Sequence, residues 1–339
     1  MRAIAFTKPL PIDDENALVD ITLDRPKPGP RDLVVKVEAV SVNPVDFKVR
    51  RSADPAGTPR VLGFDAAGTV VETGGETQLF KVGDTVFYAG SIVRPGTDAE
   101  FHAVDERIVG RKPESLDFAG AAALPLTALT AWELLFDRIG VVPGSADDKR
   151  SLLVLGGAGG VGSIAIQLAR ALTGLTVIAS ASRPETVAFA KDLGAHHIVD
   201  HSRPLAPQVE ALGLKAVDII LAFAGTAGHA AEIAALAAPE GHVGIIEGVD
   251  GFGPAEFGQL SQKAVGLQFE SMFARSRFGT PAIERQHEIL DRVSALVDAG
   301  AIRTTLTKTL SPINAANLRE AHRLVESGRM IGKVVVAGW

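Results

Sequence analysis

The segment Gly157-Ala158-Gly159-Gly160-Val161-Gly162 constrains this chain more than any other. It sets spaced glycines between a short apolar run, SLLVL (151–155), and a helical one, SIAIQLARAL (163–172). The spacing satisfies GxGxxG. Between a strand and a helix, the first glycine allows a tight turn, the second lets the backbone approach a pyrophosphate, and the third permits close helix–strand packing. The amino terminus of the helix then faces the anion. Gly157, Gly159, Gly160 and Val161 are therefore expected to contact a dinucleotide. A phosphate-binding P-loop would end in GK[ST]; here Gly162 is followed by Ser163 and Ile164, so that reading fails.

A dinucleotide turn that favours NAD is followed, about twenty residues on, by an acid that accepts the ribose 2′-hydroxyl. Here the second strand ends in Ala179-Ser180-Ala181-Ser182-Arg183, with no acid before Glu185. Two hydroxyls and a guanidinium suit a 2′-phosphate, which Arg can bind through bidentate, charge-assisted contacts. Ser180, Ser182 and Arg183 are thus expected to select NADPH. Ser182 also fits a helix cap ahead of Pro184-Glu185, and the two roles are compatible.

The rest of the chain extends the pattern. From Ser151 onward, six apolar runs (SLLVL, LTVIAS, HHIVD, VDIILAF, HVGIIEG and LQFESMF) alternate with segments of crossover length, as in an α/β, doubly wound parallel sheet of Rossmann type. The first third is β-rich instead. Strand-like runs at Leu33–Val40, Ala67–Glu72 and Thr85–Ala89 are broken by the turn clusters RPKPGPRD and ETGGET. A helical stretch runs from Phe118 to Phe136, and a polar link, PGSADDKR, precedes the sheet. An amphipathic helix near Ala282–Ala299 and a last strand, KVVVAG, close the chain. A length of 339 residues suits two domains.

Composition removes several classes of function. A net charge of -6 leaves no basic excess for binding nucleic acid. The absence of cysteine rules out disulfides, thiolate nucleophiles and every zinc site built on Cys. The most apolar stretch, Leu116 to Phe136, contains Asp117, Pro125 and Glu133, which reads as buried structure and not as a membrane span. The amino-terminal residues lack an apolar core of signal-peptide length, so export is not expected and the cytoplasm suits the chain.

Six stretches together resemble the medium-chain dehydrogenase/reductase superfamily, in its zinc-free quinone oxidoreductase branch. They are SVNPVDFKVR (41–50), VLGFDAAGTVVETG (61–74), FKVGDTVFYAG (80–90), AAALPLTALTAWELL (121–135), LGGAGGVGSIAIQLAR (155–170) and GKVVV (332–336). The resemblance implies a GroES-like β-barrel catalytic domain (1–124 and 274–339), a Rossmann NADPH-binding domain (125–273) and a homodimer built through the edges of the Rossmann sheet. It also implies a cleft with the nicotinamide at its floor. Zinc-dependent relatives carry a metal-binding Cys where this chain has Asn43, and a His-Glu pair where it has Phe64-Asp65. No metal site is expected.

By the same resemblance, Asn43 and Thr127 should lie near the nicotinamide ribose, with Phe223-Ala224-Gly225 and Ile246-Glu247 beside the nicotinamide edge. Lys333 should meet the pyrophosphate. His201 falls where relatives place an adenosine-contacting Tyr, although a surface histidine beside a turn is the competing reading. Asn43, Lys48 and Tyr88 are the candidate catalytic residues. A solvated lysine competes for Lys48 and core packing for Tyr88, while Asp46 is read as a brace for local backbone.

These features imply hydride transfer from NADPH to a small quinone or enone, which needs only later protonation and so no Lewis acid. Oxidation of a plain alcohol ranks low, because no metal would polarise its hydroxyl. A short-chain dehydrogenase would need a lysine four residues after its tyrosine, whereas Tyr88 is followed at that spacing by Ile92. A catalytically silent NADPH-binding sensor or structural protein remains the alternative from another class.

Overall fold

The computed structural model describes residues 1–339. Contacts divide the chain into two compact units, Met1–Leu129 with Phe273–Trp339, and Thr130–Met272.

The first unit is built around the strand Asp32–Ser41, whose valines and leucine are buried while Lys36 is exposed. This strand pairs antiparallel with Ala66–Thr73, Phe101–Asp105 and Lys333–Ala337. Register shifts at Val34/Val35 and Val37/Ala39 mark irregularities in its pairing with Ala66–Thr73. Such irregularities bend a strand and help a sheet curl. Thr85–Tyr88, Val109–Arg111 and Leu306–Leu310 complete a seven-stranded sheet. Its interior is filled by Leu33, Val35, Val37, Val70, Val86, Tyr88, Val334 and Val336, among others. A smaller sheet joins Val19–Thr22, Arg2–Phe6 and Arg60–Val61. Because Val335 lies opposite Ser41 in the antiparallel register, Lys333 comes in beside Asn43.

The second unit holds a six-stranded, wholly parallel sheet. Ser151–Leu155 lies at its middle, with Thr176–Ser180 and then His197–Val199 on one side. Val217–Ala222, Ala237–Ile245 and Gly266–Phe269 follow on the other. All six expected strands are present, and the order reverses at the central strand, as in a Rossmann fold. The fold is α/β, a GroES-like barrel joined to a Rossmann sheet.

The apolar stretch from 118 to 138 is helical in three pieces. Phe118–Ala122 stops before Pro125, Pro125–Trp132 resumes, and Glu133–Arg138 widens into a π-helix. Proline has no N–H to donate, so it begins a helix more readily than it continues one. The stretch is long and apolar enough to cross a membrane, but 94% of its most apolar window is buried within the protein. Arg285–Asp298 is the expected amphipathic helix near the carboxyl end, slightly shorter than its sequence pattern.

The helix Gly160–Leu172 begins directly after the glycine turn. A Cβ on Gly162 would lie 2.2 Å from the Gly156 carbonyl oxygen and 2.8 Å from Gly157 Cα, so the helix can approach the strand only without a side chain there. Both neighbours are backbone and cannot turn aside. Gly162→Ala should therefore lower the stability of the protein by about 1–3 kcal/mol, the usual range for overpacking. Urea unfolding checks this; an unchanged midpoint would refute the steric account.

Candidate functional site

The parallel sheet gathers most of the expected cofactor residues at the carboxyl ends of its strands. Gly157 donates its N–H to the Ser180 carbonyl at 3.2 Å, and Gly159 donates to Gly156 at 3.0 Å, which shapes the turn ahead of the helix. A Cβ on Gly159 would meet nothing closer than the Gly156 oxygen at 3.4 Å, so the space over this glycine is open. The N–H groups of a first helical turn have no partner within the helix. An open backbone cradle ending in such groups fits a pyrophosphate.

The end of the second strand divides the three residues expected to read a 2′-phosphate. Ser180 is buried, and its hydroxyl oxygen accepts the Gly156 N–H at 2.9 Å. It braces the glycine turn, which corrects its expected place beside a phosphate. Ser182 is exposed, with Oγ 3.2 Å from His201 Nε2. Arg183, and not Ser182, is the cap residue of the helix Pro184–Asp192, and its backbone N–H donates to Thr186 Oγ1 at 3.1 Å. The Arg183 guanidinium stays half-exposed beside Glu185, at 3.3 Å. Ser182, Arg183 and His201 thus share one corner. Burial and the neighbouring His229 hold the His201 imidazole below its ordinary range. Phe223 is buried at the end of the fourth strand and Ala224 is exposed, while Ile246 and Glu247 follow the fifth strand half-buried.

The barrel unit brings together a different set. Asn43, Asp65 and Lys333 are all buried, and the Lys333 ammonium donates to the Asn43 amide oxygen, to Asp65 Oδ2 at 3.1 Å and to the Val42 carbonyl at 3.2 Å. Asn43 Nδ2 donates to Asp65 Oδ2 at 2.7 Å, and the Leu126 N–H donates to Asp65 Oδ1 at 2.8 Å. Burial pushes the Asp65 carboxyl up, while the Lys333 ammonium, the Asn43 amide and the Leu126 N–H pull it down. Lys333 was expected at the pyrophosphate. All the protons of its ammonium are instead directed at acceptors inside the barrel unit. Thr127 is buried, its hydroxyl donating to the Leu124 carbonyl at 3.1 Å.

Two candidate catalytic residues are placed differently from each other, and each agrees with its competing reading. Lys48 is exposed on the helix Pro44–Ser52. Tyr88, expected on a loop bordering substrate, is the last residue of the strand Thr85–Tyr88 and is fully buried. Its hydroxyl lies 3.1 Å from His102 Nδ1, the two rings stack at 5.5 Å, and burial holds the phenol above its ordinary range. Tyr88 lies within the strand expected from sequence and not in the loop that follows, so core packing, the competing reading, describes it.

Asp46 braces backbone, as its position suggested. Its carboxylate accepts the Asn43 N–H at 2.7 Å and the Gly63 N–H at 3.1 Å. A second buried acid, Asp98, was not singled out from sequence; burial and the nearby Asp46 raise its carboxyl well above the ordinary range. Nothing local in the sequence marks it, because the backbone hydrogen bonds that set it beside Gly63, from Thr97 to Gly63 and from Asp98 to Leu62, join loops distant in sequence.

The positions at which zinc-dependent relatives hold metal do not fit that ion here. They present an amide engaged at both ends, a Phe64 ring packed on Phe273 at 5.2 Å, and a carboxylate already paired with an ammonium. No three His, Cys, Asp or Glu side chains converge elsewhere.

Comparison with known proteins agrees with this architecture. Residues 29–120 match the alcohol dehydrogenase GroES-like domain, and residues 193–336 match the zinc-binding dehydrogenase family. A zinc-type alcohol dehydrogenase-like protein of Staphylococcus epidermidis is 36% identical over 99% of both chains. A crystal structure from Rhizobium etli CFN 42, of a candidate zinc-dependent alcohol dehydrogenase, is 56% identical with a TM-score of 0.94, covering 100% of this chain and 98% of that one. The quinone oxidoreductase of Coxiella burnetii superposes with a TM-score of 0.80 at 26% identity, covering 100% and 99% of the two chains. A mycobacterial protein solved in complex with NADPH does so with a TM-score of 0.83 at 27% identity, covering 99% and 100%. The chain belongs to the medium-chain dehydrogenase/reductase superfamily, and it is an oxidoreductase with a Rossmann-type nucleotide-binding unit.

Two outcomes follow from these placements. Tyr88→Phe should keep turnover within about twofold of wild type while losing roughly 0.5–1.5 kcal/mol of stability with its hydrogen bond; a loss of turnover without a loss of stability would restore Tyr88 as a catalytic residue. Asp46 is the other case, because burial raises its pKa to about 7. A carboxyl raised in the folded state favours folding at low pH, and its contribution is lost as pH climbs from roughly 4, the unfolded value, to 7. Thermal unfolding of wild type should weaken across that window relative to Asp46→Asn, and parallel profiles for the two proteins would contradict this.

Proposed function

We propose that this protein transfers a hydride from NADPH to a quinone or an α,β-unsaturated carbonyl compound, without a catalytic metal. The reading rests most heavily on one observation: the corner beyond the second strand holds Ser182, Arg183 and His201, with Glu185 of the following helix 3.3 Å from the Arg183 guanidinium, and no acid stands at the strand end itself. A carboxylate there would accept the ribose 2′-hydroxyl of NAD and repel a 2′-phosphate. A guanidinium and a hydroxyl favour the phosphate. The likeness to a mycobacterial protein solved with NADPH supports the same cofactor.

The acceptor class follows from the barrel unit. A quinone or enone takes a hydride at an electrophilic carbon and a proton later, at oxygen or the α-carbon. That chemistry needs no ion to polarise a hydroxyl, and Asn43, Phe64 and Asp65 do not offer one a site. Bound nicotinamide supplies the hydride. The residues of this chain supply binding, orientation and exclusion of water, with Phe223, Ala224, Ile246 and Glu247 read as the neighbours of the ring. The similarity to a quinone oxidoreductase favours this acceptor class.

Multiple-turnover oxidation of NADPH with a panel of quinones and enones tests the proposal. Activity should survive chelation with no zinc present in stoichiometric amount; tight NADPH binding without turnover on any acceptor would favour a sensor. Arg183→Ala should weaken NADPH by about 1–3 kcal/mol, the range for a hydrogen bond to a charged group, and leave NADH unchanged. Equal losses for both cofactors would show that Arg183 does not read the 2′-phosphate.

A further inference from the structure

We propose that His201 is a positioning residue that sets the direction of the Ser182 hydroxyl, and that a 2′-phosphate bound at this corner takes up a proton on the imidazole whereas a 2′-hydroxyl does not. The inference rests on the reading of Ser182 and Arg183 as the residues beside the adenosine 2′-position, and adds to it a regulation by pH.

The corner is a product of strand register. Ser180 lies opposite Val199 in the parallel pairing of the second and third strands, and the Ala181 N–H donates to the Val199 carbonyl at 2.9 Å. Just beyond that pair Ser182 and His201 come together, with Oγ and Nε2 3.2 Å apart. Ser182 is exposed, so its remaining hydrogen-bonding capacity faces outward. His201 Nδ1 is buried and has no partner.

A serine hydroxyl has one proton to give and two lone pairs. A neutral imidazole can accept that proton at Nε2 or donate its own, and with no partner at Nδ1 nothing fixes the tautomer. When Nε2 accepts, Ser182 has only lone pairs left for a ligand, which suit a ribose hydroxyl and repel a phosphate. An imidazolium carries protons on both nitrogens. Nε2 must then donate to Ser182, and the serine proton is released toward the ligand, where a phosphate oxygen can accept it.

The surroundings keep the imidazole neutral until such a ligand arrives. Burial acts first, then the His229 ring, which meets His201 edge-on at 6.5 Å, and then the Arg183 guanidinium, while Asp200 acts the other way. His229 Nδ1 lies 3.0 Å from Glu232 Oε2, and Arg183 lies 3.3 Å from Glu185. A 2′-phosphate brings about two negative charges to Ser182 and Arg183, which offsets the guanidinium and favours the imidazolium.

The test uses the full-length protein and two fragments that lack nicotinamide: adenosine 2′,5′-bisphosphate, which carries the 2′-phosphate, and 5′-AMP, which carries the hydroxyl. Each is titrated calorimetrically between about pH 6.5 and about pH 8.5, in buffers of different ionisation enthalpy that count the protons exchanged. A phosphate itself titrates at about pH 6, so the counts are set against those of His201→Gln, which keeps an amide to meet Ser182 and cannot ionise. The preference of wild type for the bisphosphate should fall about tenfold as pH rises across this range, the linkage for a group whose pKa moves by about one on binding. Relative to His201→Gln, wild type should take up extra proton with the bisphosphate and none with 5′-AMP, and the preference of the variant should be flat. Ser182→Ala should lose most of the pH dependence while Arg183 preserves a preference for the bisphosphate. A wild-type preference that is equal at both ends of the range would overturn the proposal and leave NADPH selectivity intact. Full pH dependence in Ser182→Ala would overturn it as well, since His201 would then act by its charge and not through the serine. No preference for the bisphosphate at any pH would remove the 2′-phosphate reading of the corner, and this inference with it.

Discussion

The barrel unit is organised around one buried carboxylate. Asp65 receives the Asn43 amide, the Lys333 ammonium and the Leu126 N–H on its side chain, while its backbone carbonyl accepts the Ser41 N–H at 3.3 Å and the Thr97 hydroxyl at 3.2 Å. Those partners come from the end of the central strand, the last strand of the chain, the start of the apolar helix and a loop in between. A buried ion pair is a weak source of net stability, since desolvation offsets much of the attraction, but removing one member typically destabilises by about 3–5 kcal/mol. The pair therefore acts less as glue than as a specification. Segments separated by up to 268 residues must meet at this carboxylate or leave a charge buried without a partner.

In the Rossmann unit the constraint is steric and local. The helix that follows the glycine turn comes so close to the Gly156 carbonyl that its third residue can carry no Cβ, and that closeness places the helix amino terminus over the end of the central strand. Ser180 then ties the second strand to the same turn by accepting the Gly156 N–H. Its burial explains why an expected phosphate contact is a structural one. A hydroxyl near a turn can serve backbone or ligand, and only the direction of the strand's last residue decides between them.

This difference accounts for what could be read from the sequence. The six parallel strands and the glycine turn rest on patterns within about thirty residues, and every one is where its apolar run lies. The break of the apolar helix at Pro125 is also local, although the periodicity alone ran through it. Tyr88 and Lys333 were harder because their surroundings depend on pairing. Tyr88 is set by its register with Ala66, and Lys333 by the antiparallel match of Val335 to Ser41 across nearly the whole chain. A side chain's type announces the chemistry it can do, but which atom it meets is settled by strands far away in sequence.

The tripeptide Gly63-Phe64-Asp65 shows how three adjacent residues can answer to three separate demands. Gly63 has φ of 104°, and a Cβ there would fall 2.4 Å from Thr97 Oγ1 and 2.7 Å from Asp98 Oδ1. Its N–H is therefore able to reach Asp46, which in turn caps the helix that starts after Asn43. Phe64 sends its ring to an edge-on contact with Phe273, a hydrophobic role that no metal ligand could share. Asp65 keeps the carboxylate and gives it to an ammonium. An ion bound at this loop would need the second residue to coordinate and the third to be free of a competing cation. Once the ring and the lysine are in place, neither condition holds, and the loop has become a rigid support for Asn43.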